Sequence, residues 1–377
     1  MTNGGIKEYN TIVNEDVKCI VLKVSRPFGE PNFSTEIFGR TLEQWVTLSM
    51  RGLEVESVVY DGNENFLPSV KPHINPARTV TVVLYSDTPL ISYASVSEAV
   101  AKLKSEKMFV LKMPRGWVFN TAFLLDAEKI HTDKTYYFGD DDYVTVYNNN
   151  QLAYTSDILR ARIAHYFMEH GVRLEDPNST LIGADVVIEP GAVIGPFNQI
   201  KGKTLIKSGA VICSNCVIES SIIGKGAVIK NSTLTDAIVG ENCSIGPYAH
   251  LRPKAVLAEN VHVGDYVEIK NSRIGAGSKL GHLAYVGDAD IGRNCNISAG
   301  VIFANYDGLA KRKIILGNDV FVGSNSTLVA PLNIGDGAFI AAASAVTEDI
   351  NGGALAIARA RQVNKEDWKK NPYTNKK

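Results

Sequence analysis

Between Ile182 and Ile350 an aliphatic side chain returns at every sixth residue, and few chain conformations can use such a beat. The first run is Ile182, Ile188, Ile194, Ile200, Ile206, Ile212 and Ile218. After a step of five it resumes at Ile223 and Ile229, slips through Leu234 and Val239, and continues at Ile245, Leu251, Leu257, Val263 and Ile269. Ile274, Leu280, Val286, Ile291, Ile297 and Phe303 extend it with single-residue slips, and Val322, Leu328, Ile334, Ile340 and Val346 close it. A helix would show a period of 3.6 and a half-buried strand a period of 2; a hexapeptide beat marks a β-solenoid.

The rest of each hexad agrees. Four positions after the aliphatic residue stands a small one, as at Ala192, Ala210, Cys216, Ala227, Cys243, Ala249, Ala255, Ala284, Cys295, Ser326, Ala338 and Ser344. Gly often follows the aliphatic residue directly, as at Gly224, Gly246, Gly264, Gly292 and Gly323. The pattern predicts a triangular prism with one large and one small side chain inward per face, and glycine easing the corners. Each buried Ile or Leu contributes about 1.5–3 kcal/mol, so the ladder is the main core.

At 377 residues the chain has room for two domains. A net charge of −1 offers no electrostatic footprint for nucleic acid. No apolar run reaches membrane-spanning length, and the polar start MTNGGIKEYN does not read as a signal peptide, so a cytoplasmic protein without a membrane partner is expected. Cys213-x-x-Cys216 has no second pair to complete a metal or redox motif, and Cys216, Cys243 and Cys295 fall on the small inward rung.

Residues 1–155 lack the beat and read as an α/β domain, with candidate strands at Cys19–Lys23, Ser57–Tyr60, Thr79–Tyr85 and Phe109–Lys112. Candidate helices are Thr41–Met50 and Ser95–Glu106. In such a doubly wound, Rossmann-like sheet, ligands sit at the carboxyl ends of strands. Asp87, just past one such end, is either a ligand for a divalent ion or the opening of the turn before Pro89. Residues 156–172 form a connecting helix stopped at Gly171, 173–350 the solenoid, and 351–377 a C-terminal tail with Arg359, Arg361 and Trp368.

Register within the hexad assigns side chains to the outside. His282 lies two after Leu280, so it projects outward, where a solvent-facing imidazole suits a general base. Arg252 and Lys270 each follow their aliphatic residue and are eighteen apart, one coil of three hexads. They should stack and repel, unless an anion such as a phosphate lies between them. The clearest interruption of the coils is the polar, basic loop Asn305–Lys313, and loops leaving a rigid scaffold commonly carry function.

From Ser244 to Trp368 the chain closely resembles the acetyltransferase half of the bacterial bifunctional N-acetylglucosamine-1-phosphate uridyltransferase/glucosamine-1-phosphate N-acetyltransferases. The carrying motifs are SIGPYAHLRPKAVL, HVGDYVEIKNS, GSKLGHLAYVGDADIG, ANYDG, VFVGSNSTLVAP and ALAIARARQVNKEDW. The resemblance implies a left-handed parallel β-helix, an exception to the right-handed crossover preference, assembled as a homotrimer with active sites at subunit interfaces. It also implies direct N-acetylation of an amino-sugar 1-phosphate, glucosamine 1-phosphate first, from acetyl-CoA as co-substrate. By motif, His282 would be the base; Arg252, Lys270, Tyr285 and Lys311 would bind the sugar phosphate. Asn296 and Asn305 would orient the amino sugar, with Asn305 counted in the catalytic set. Ala299, Tyr306, Ser324, Ala342 and Arg359 would hold acetyl-CoA, with Ser324 near the developing oxyanion.

Three departures bear on acceptor fit: Ser298 stands where the family has Gly, Ala284 where it has Thr, and VIFANYDG replaces the usual approach to the loop. The first domain resembles the uridyltransferase half only faintly, through YSDTPLI, VYNNNQLA and HGVRLEDPNST. Where the family has a Gly-rich loop this chain reads VSRPFGEPNFST, without the run of glycines that lets backbone amides cradle a triphosphate. Where the family has an Asn as second metal ligand this chain has Tyr147, with Asn148 adjacent. The expectation is a degenerate, inactive nucleotidyltransferase-like domain that would need Mg²⁺ at Asp87 only if it were active. The competing readings are a bifunctional enzyme that also forms UDP-N-acetylglucosamine, and a non-catalytic trimeric scaffold that binds a sugar nucleotide.

Overall fold

The computed structural model describes residues 16–60, 62, 65–139 and 141–366. The far tail, with Trp368, lies outside them. The chain divides into two compact units, residues 1–206 with 218–220, and residues 207–217 with 221–377.

The first unit holds a five-stranded sheet in the order Glu54–Val59, Val17–Lys23, Val80–Tyr85, Gly116–Asn120, Val110–Met113. The first three strands run parallel. The strand Gly116–Asn120, which hydrophobic patterning did not single out, runs antiparallel to both neighbours. Strand alternation sorts the core: Cys19 and Val21 pack with Val46, Val96 and Leu103 on one face. Ile20 and Leu22 pack with Phe66, Val70 and Phe119 on the other. The helix Leu42–Ser49 starts with a capping box, Thr41 accepting from the Gln44 amide and Gln44 answering at the Thr41 amide. A longer helix spans Asn149–Glu169, beginning well before the expected Ser156 because Asn148 caps it by accepting from the Asn150 and Gln151 amides. The first coils follow, with Val187–Ile188 paired to Leu205–Ile206 and Leu181–Ile182 to Gln199–Lys201.

The second unit is a left-handed parallel β-helix. One ladder includes Ser244–Ile245, His262–Asp265, Lys279–His282, Asn296–Ile297, Phe321–Val322 and Phe339–Ile340. The second includes His250–Leu251, Glu268–Lys270, Tyr285–Gly287, Ile302–Ala304 and Thr327–Val329. The third includes Val256–Leu257, Arg273–Ile274, Ala289–Ile291, Ile314–Leu316 and Leu332–Ile334. Every rung of the aliphatic beat from Ile182 to Val346 is buried, and so is every small residue of the second series. Past the Asn305–Lys313 loop, where the beat is lost in the sequence, Ile314 and Leu316 take the inward places.

The corners correct one expectation. Their left-handed conformations fall mainly on other residues, among them Asn242, Asn260, Tyr266, Leu283 and Asn294. Asn tolerates that region best, through local side-chain bonding. Many of the glycines are there for close approach. A Cβ on Gly224 would stand 2.5 Å from the Gly240 carbonyl carbon of the next coil, and one on Gly264 only 1.8 Å from the Gly281 carbonyl oxygen.

Candidate active site

The chemistry-bearing residues of the second unit gather at the two edges of one face, the ladder through Glu268–Lys270, Tyr285–Gly287 and Ile302–Ala304. At the entering edge, His282 ends the strand Lys279–His282 and faces solvent, its side chain 62% exposed. The pairing of Leu280 with Ile297, Ile297 with Val322 and Val322 with Ile340 puts His282, Ala299, Ser324 and Ala342 at equivalent places on successive coils. Backbone bonds tie this column together. The Gly300 amide donates to the His282 carbonyl at 3.2 Å, that of Asn325 to Ala299 at 2.8 Å, and that of Ala343 to Ser324 at 2.8 Å. The column thus sets an exposed imidazole in line with small side chains on the coils that follow.

Asp265 stands directly before His282 in that column, with its carboxylate on the imidazole Nδ1. This bond holds the Asp265 carboxyl below its ordinary pKa. Asp265 was missed in the sequence, although its signal is there: Gly264-Asp265 and Gly281-His282 are the same hexad places one coil apart.

At the leaving edge are the cations and amides. Register sets Lys270 beside Gly287, and a Cβ on that glycine would stand 2.5 Å from the Tyr285 hydroxyl and 2.6 Å from the Asn305 Nδ2. Gly287 thus makes the room in which Tyr285 and Asn305 meet. The buried Asn305 amide donates to the Asp288 carboxylate, and the Asn305 carbonyl accepts from the Arg312 amide at 2.7 Å. Lys311 comes back along the loop opposite Tyr306, whose hydroxyl donates to the Gly308 carbonyl at 2.7 Å. The Lys311 ammonium lies against Lys270 and, with Arg252 behind it, pushes the Lys270 ammonium below its ordinary pKa.

Arg252 stacks next to Lys270 and repels it, as the eighteen-residue spacing implies, while its guanidinium also pairs with Glu268 at 2.6 Å. The larger push on Lys270 comes from Lys311, a contact that hexad counting could not reveal because the inserted loop breaks the register. Asn296 lies elsewhere, on the face that carries Lys279 and Phe321, and its amide donates to the Ser298 hydroxyl at 3.2 Å. That bond uses the side chain by which this sequence departs from the family's Gly. Tyr306 is in the loop rather than in the column of Ala299, Ser324 and Ala342, and Arg359 is exposed beyond the last strand, Leu355–Ala356.

In the first unit, Asp87 is buried at the carboxyl end of the strand Val80–Tyr85, and both its oxygens are taken. Arg26 donates to Oδ2 at 2.6 Å, and Arg115 donates to Oδ1 at 3.1 Å and to Oδ2 at 2.9 Å. Among the described residues no group of three His, Cys, Asp or Glu side chains is arranged to hold a metal. No helix among them is long and apolar enough to cross a membrane.

The model of the GMPPB C-terminal domain matches residues 177–274 and 234–334. The bifunctional protein GlmU of Clostridioides difficile (strain 630) is 46% identical over 252 residues, which is 65% of this chain and 55% of that protein. That of Streptococcus mutans serotype c is 47% identical over 234 residues, 62% of this chain and 51% of the relative. The identity falls on the C-terminal part, as the motifs indicate, and the chain spans about half the length of the curated relatives it matches. Among solved structures, LpxA from Acinetobacter baumannii is 19% identical with a TM-score of 0.26, covering 49% of this chain and 71% of that one, too loose a likeness to argue from.

Proposed function

We propose that this chain is an acetyl-CoA-dependent N-acetyltransferase that acts on an amino-sugar 1-phosphate, with glucosamine 1-phosphate as the first candidate acceptor. The observation that carries the reading is the exposed imidazole of His282 at the head of the column Ala299, Ser324, Ala342. The thioester lies along that column. The acceptor amine attacks its carbonyl carbon, the N–C bond forms and the C–S bond breaks. His282 takes the proton the amine loses and returns it to the departing thiolate, so that free CoA leaves. Ser324 donates to the oxygen that becomes negative, and Lys270 and Lys311 hold the sugar phosphate with Tyr285 and Arg252 beside them. Asn305 orients the sugar.

Within one chain the imidazole and the cation pair mark opposite edges of one face. This separation supports a homotrimer in which the leaving edge of one copy completes the entering edge of another. The first domain takes no part in the chemistry. The two guanidiniums on Asp87 and the missing Gly run support that reading, and Mg²⁺ is not required. The setting proposed is the cytoplasm.

The test is CoA release over a panel of amino-sugar 1-phosphates, with His282→Ala alongside. Turnover should fall at least about 10²-fold in the variant, the lower bound for loss of a general base. Undiminished turnover in His282→Ala would remove the base from the scheme. Pyrophosphate release dependent on UTP would revive the bifunctional reading, and calorimetry without acetyl-CoA binding would favour the scaffold.

A further inference from the structure

We propose that Asp265 is a positioning residue that fixes the tautomer of His282 and stabilises the imidazolium formed when His282 accepts the amine proton; this rests on the acetyl-transfer reading above. No proton passes to Asp265. The pair is built by the fold rather than by a chance rotamer. Asp265 and His282 are partners in the parallel ladder, each follows a glycine, and each precedes a residue in the left-handed region, Tyr266 at φ 56° and Leu283 at φ 52°. The Leu283 amide donates to the Asp265 carbonyl at 2.9 Å, which locks the two corners together. Gly264 lets the corners come this close, since any side chain there would strike the Gly281 carbonyl. Both side chains therefore leave the same backbone shape one coil apart, and the carboxylate meets Nδ1.

A carboxylate at Nδ1 is an acceptor, so the ring proton of neutral His282 sits on Nδ1 and the lone pair on Nε2. Nε2 is thereby the nitrogen left to take a proton from an acceptor amine. Along the column the other neighbour of His282 is the uncharged Ala299; beside its strand stand His262 and Asn296, with Lys279 three residues before it. Glu268 and Tyr285 open the adjoining strands of the next face. Among these groups Asp265 is the one bonded to the ring. The side chain of His282 is 62% exposed and that of Asp265 37%, so solvent moderates the effect without removing the geometric constraint.

The test compares Asp265→Asn and Asp265→Glu with the parent chain of 377 residues. The first readout needs no turnover: the rate at which diethylpyrocarbonate modifies His282 at one fixed pH, followed by peptide mass analysis. In Asp265→Asn that rate should fall at least about twofold, because the carboxylate no longer holds the ring proton on Nδ1 and the lone pair on Nε2. Asp265→Glu should bring it back toward the parent. The second readout is CoA release. For Asp265→Asn, kcat should drop about 10- to 100-fold, less than the ~10²–10⁴-fold lost with the base itself, with KM for the amino sugar unchanged within about twofold. An unchanged modification rate in Asp265→Asn overturns the proposal, as does a KM effect with kcat intact. Absence of acetyl transfer by the parent protein would count against the proposed function alone, since the modification rate still decides on Asp265.

Discussion

Replacing Gly264 by Ala tests the link between coil packing and chemistry. A Cβ there would lie 1.8 Å from the Gly281 carbonyl oxygen, whereas real contacts of that kind keep at least 3.0 Å, so the two coils must part by about 1.2 Å. The Leu283–Asp265 backbone bond, now 2.9 Å, would stretch to about 4 Å and be lost, and with it the contact between Asp265 and His282. Overpacking of this kind costs about 1–3 kcal/mol. For a unit of this size, that is a fall in melting temperature of about 2–12 °C. A displacement of about 1 Å in a reacting group can also cost on the order of 10²-fold in rate. Thermal unfolding by circular dichroism and CoA release read the two effects separately. Gly281→Ala is the control for stability, because a Cβ there meets no heavy atom within 4 Å. If Gly264→Ala melts within 1 °C of the parent and turns over within twofold, the close approach of these coils does not position the pair and the reasoning fails.

Two further outcomes follow from the charges. Asp87→Ala should destabilise the first unit by about 3 kcal/mol, since it strands Arg26 and Arg115 beside a buried site; urea unfolding monitored by limited proteolysis of residues 16–206 reads this. Added Mg²⁺ should leave the parent's unfolding midpoint unchanged, and a Mg²⁺-dependent rise would contradict the committed carboxylate. Asp16 is held down to about 2 chiefly by Thr79, Glu54 to about 2 chiefly by Arg78, and Asp307 to about 2 chiefly by the Ala310 and Leu309 amides. Because the folded values lie below the unfolded ones, near 4, their stabilisation is complete above about pH 4.5 and is lost as pH falls toward 2. A melting temperature level from pH 7 to 5 and falling below about 4 is expected; a decline already between pH 7 and 5 would show other groups in control.

The sequence alone determined the solenoid, because a six-residue beat of large and small inward residues has one way to be buried, and each rung from Ile182 to Val346 is where that beat puts it. It also determined that His282 faces outward, since sidedness follows from register. What it could not carry is contact between coils wherever spacing departs from a simple multiple of six. The seventeen-residue step from Asp265 to His282 depends on a one-residue slip and the return of Lys311 onto Lys270 on an inserted loop, whereas Arg252 reaches Glu268 diagonally across an unslipped coil of eighteen residues. The same holds in the first unit: the apolar strand before Asp87 was legible, but Arg26 and Arg115, distant along the chain, reach its carboxylate only once the sheet has formed. Local pattern sets which way a side chain points, and only the stacked backbone decides what it meets.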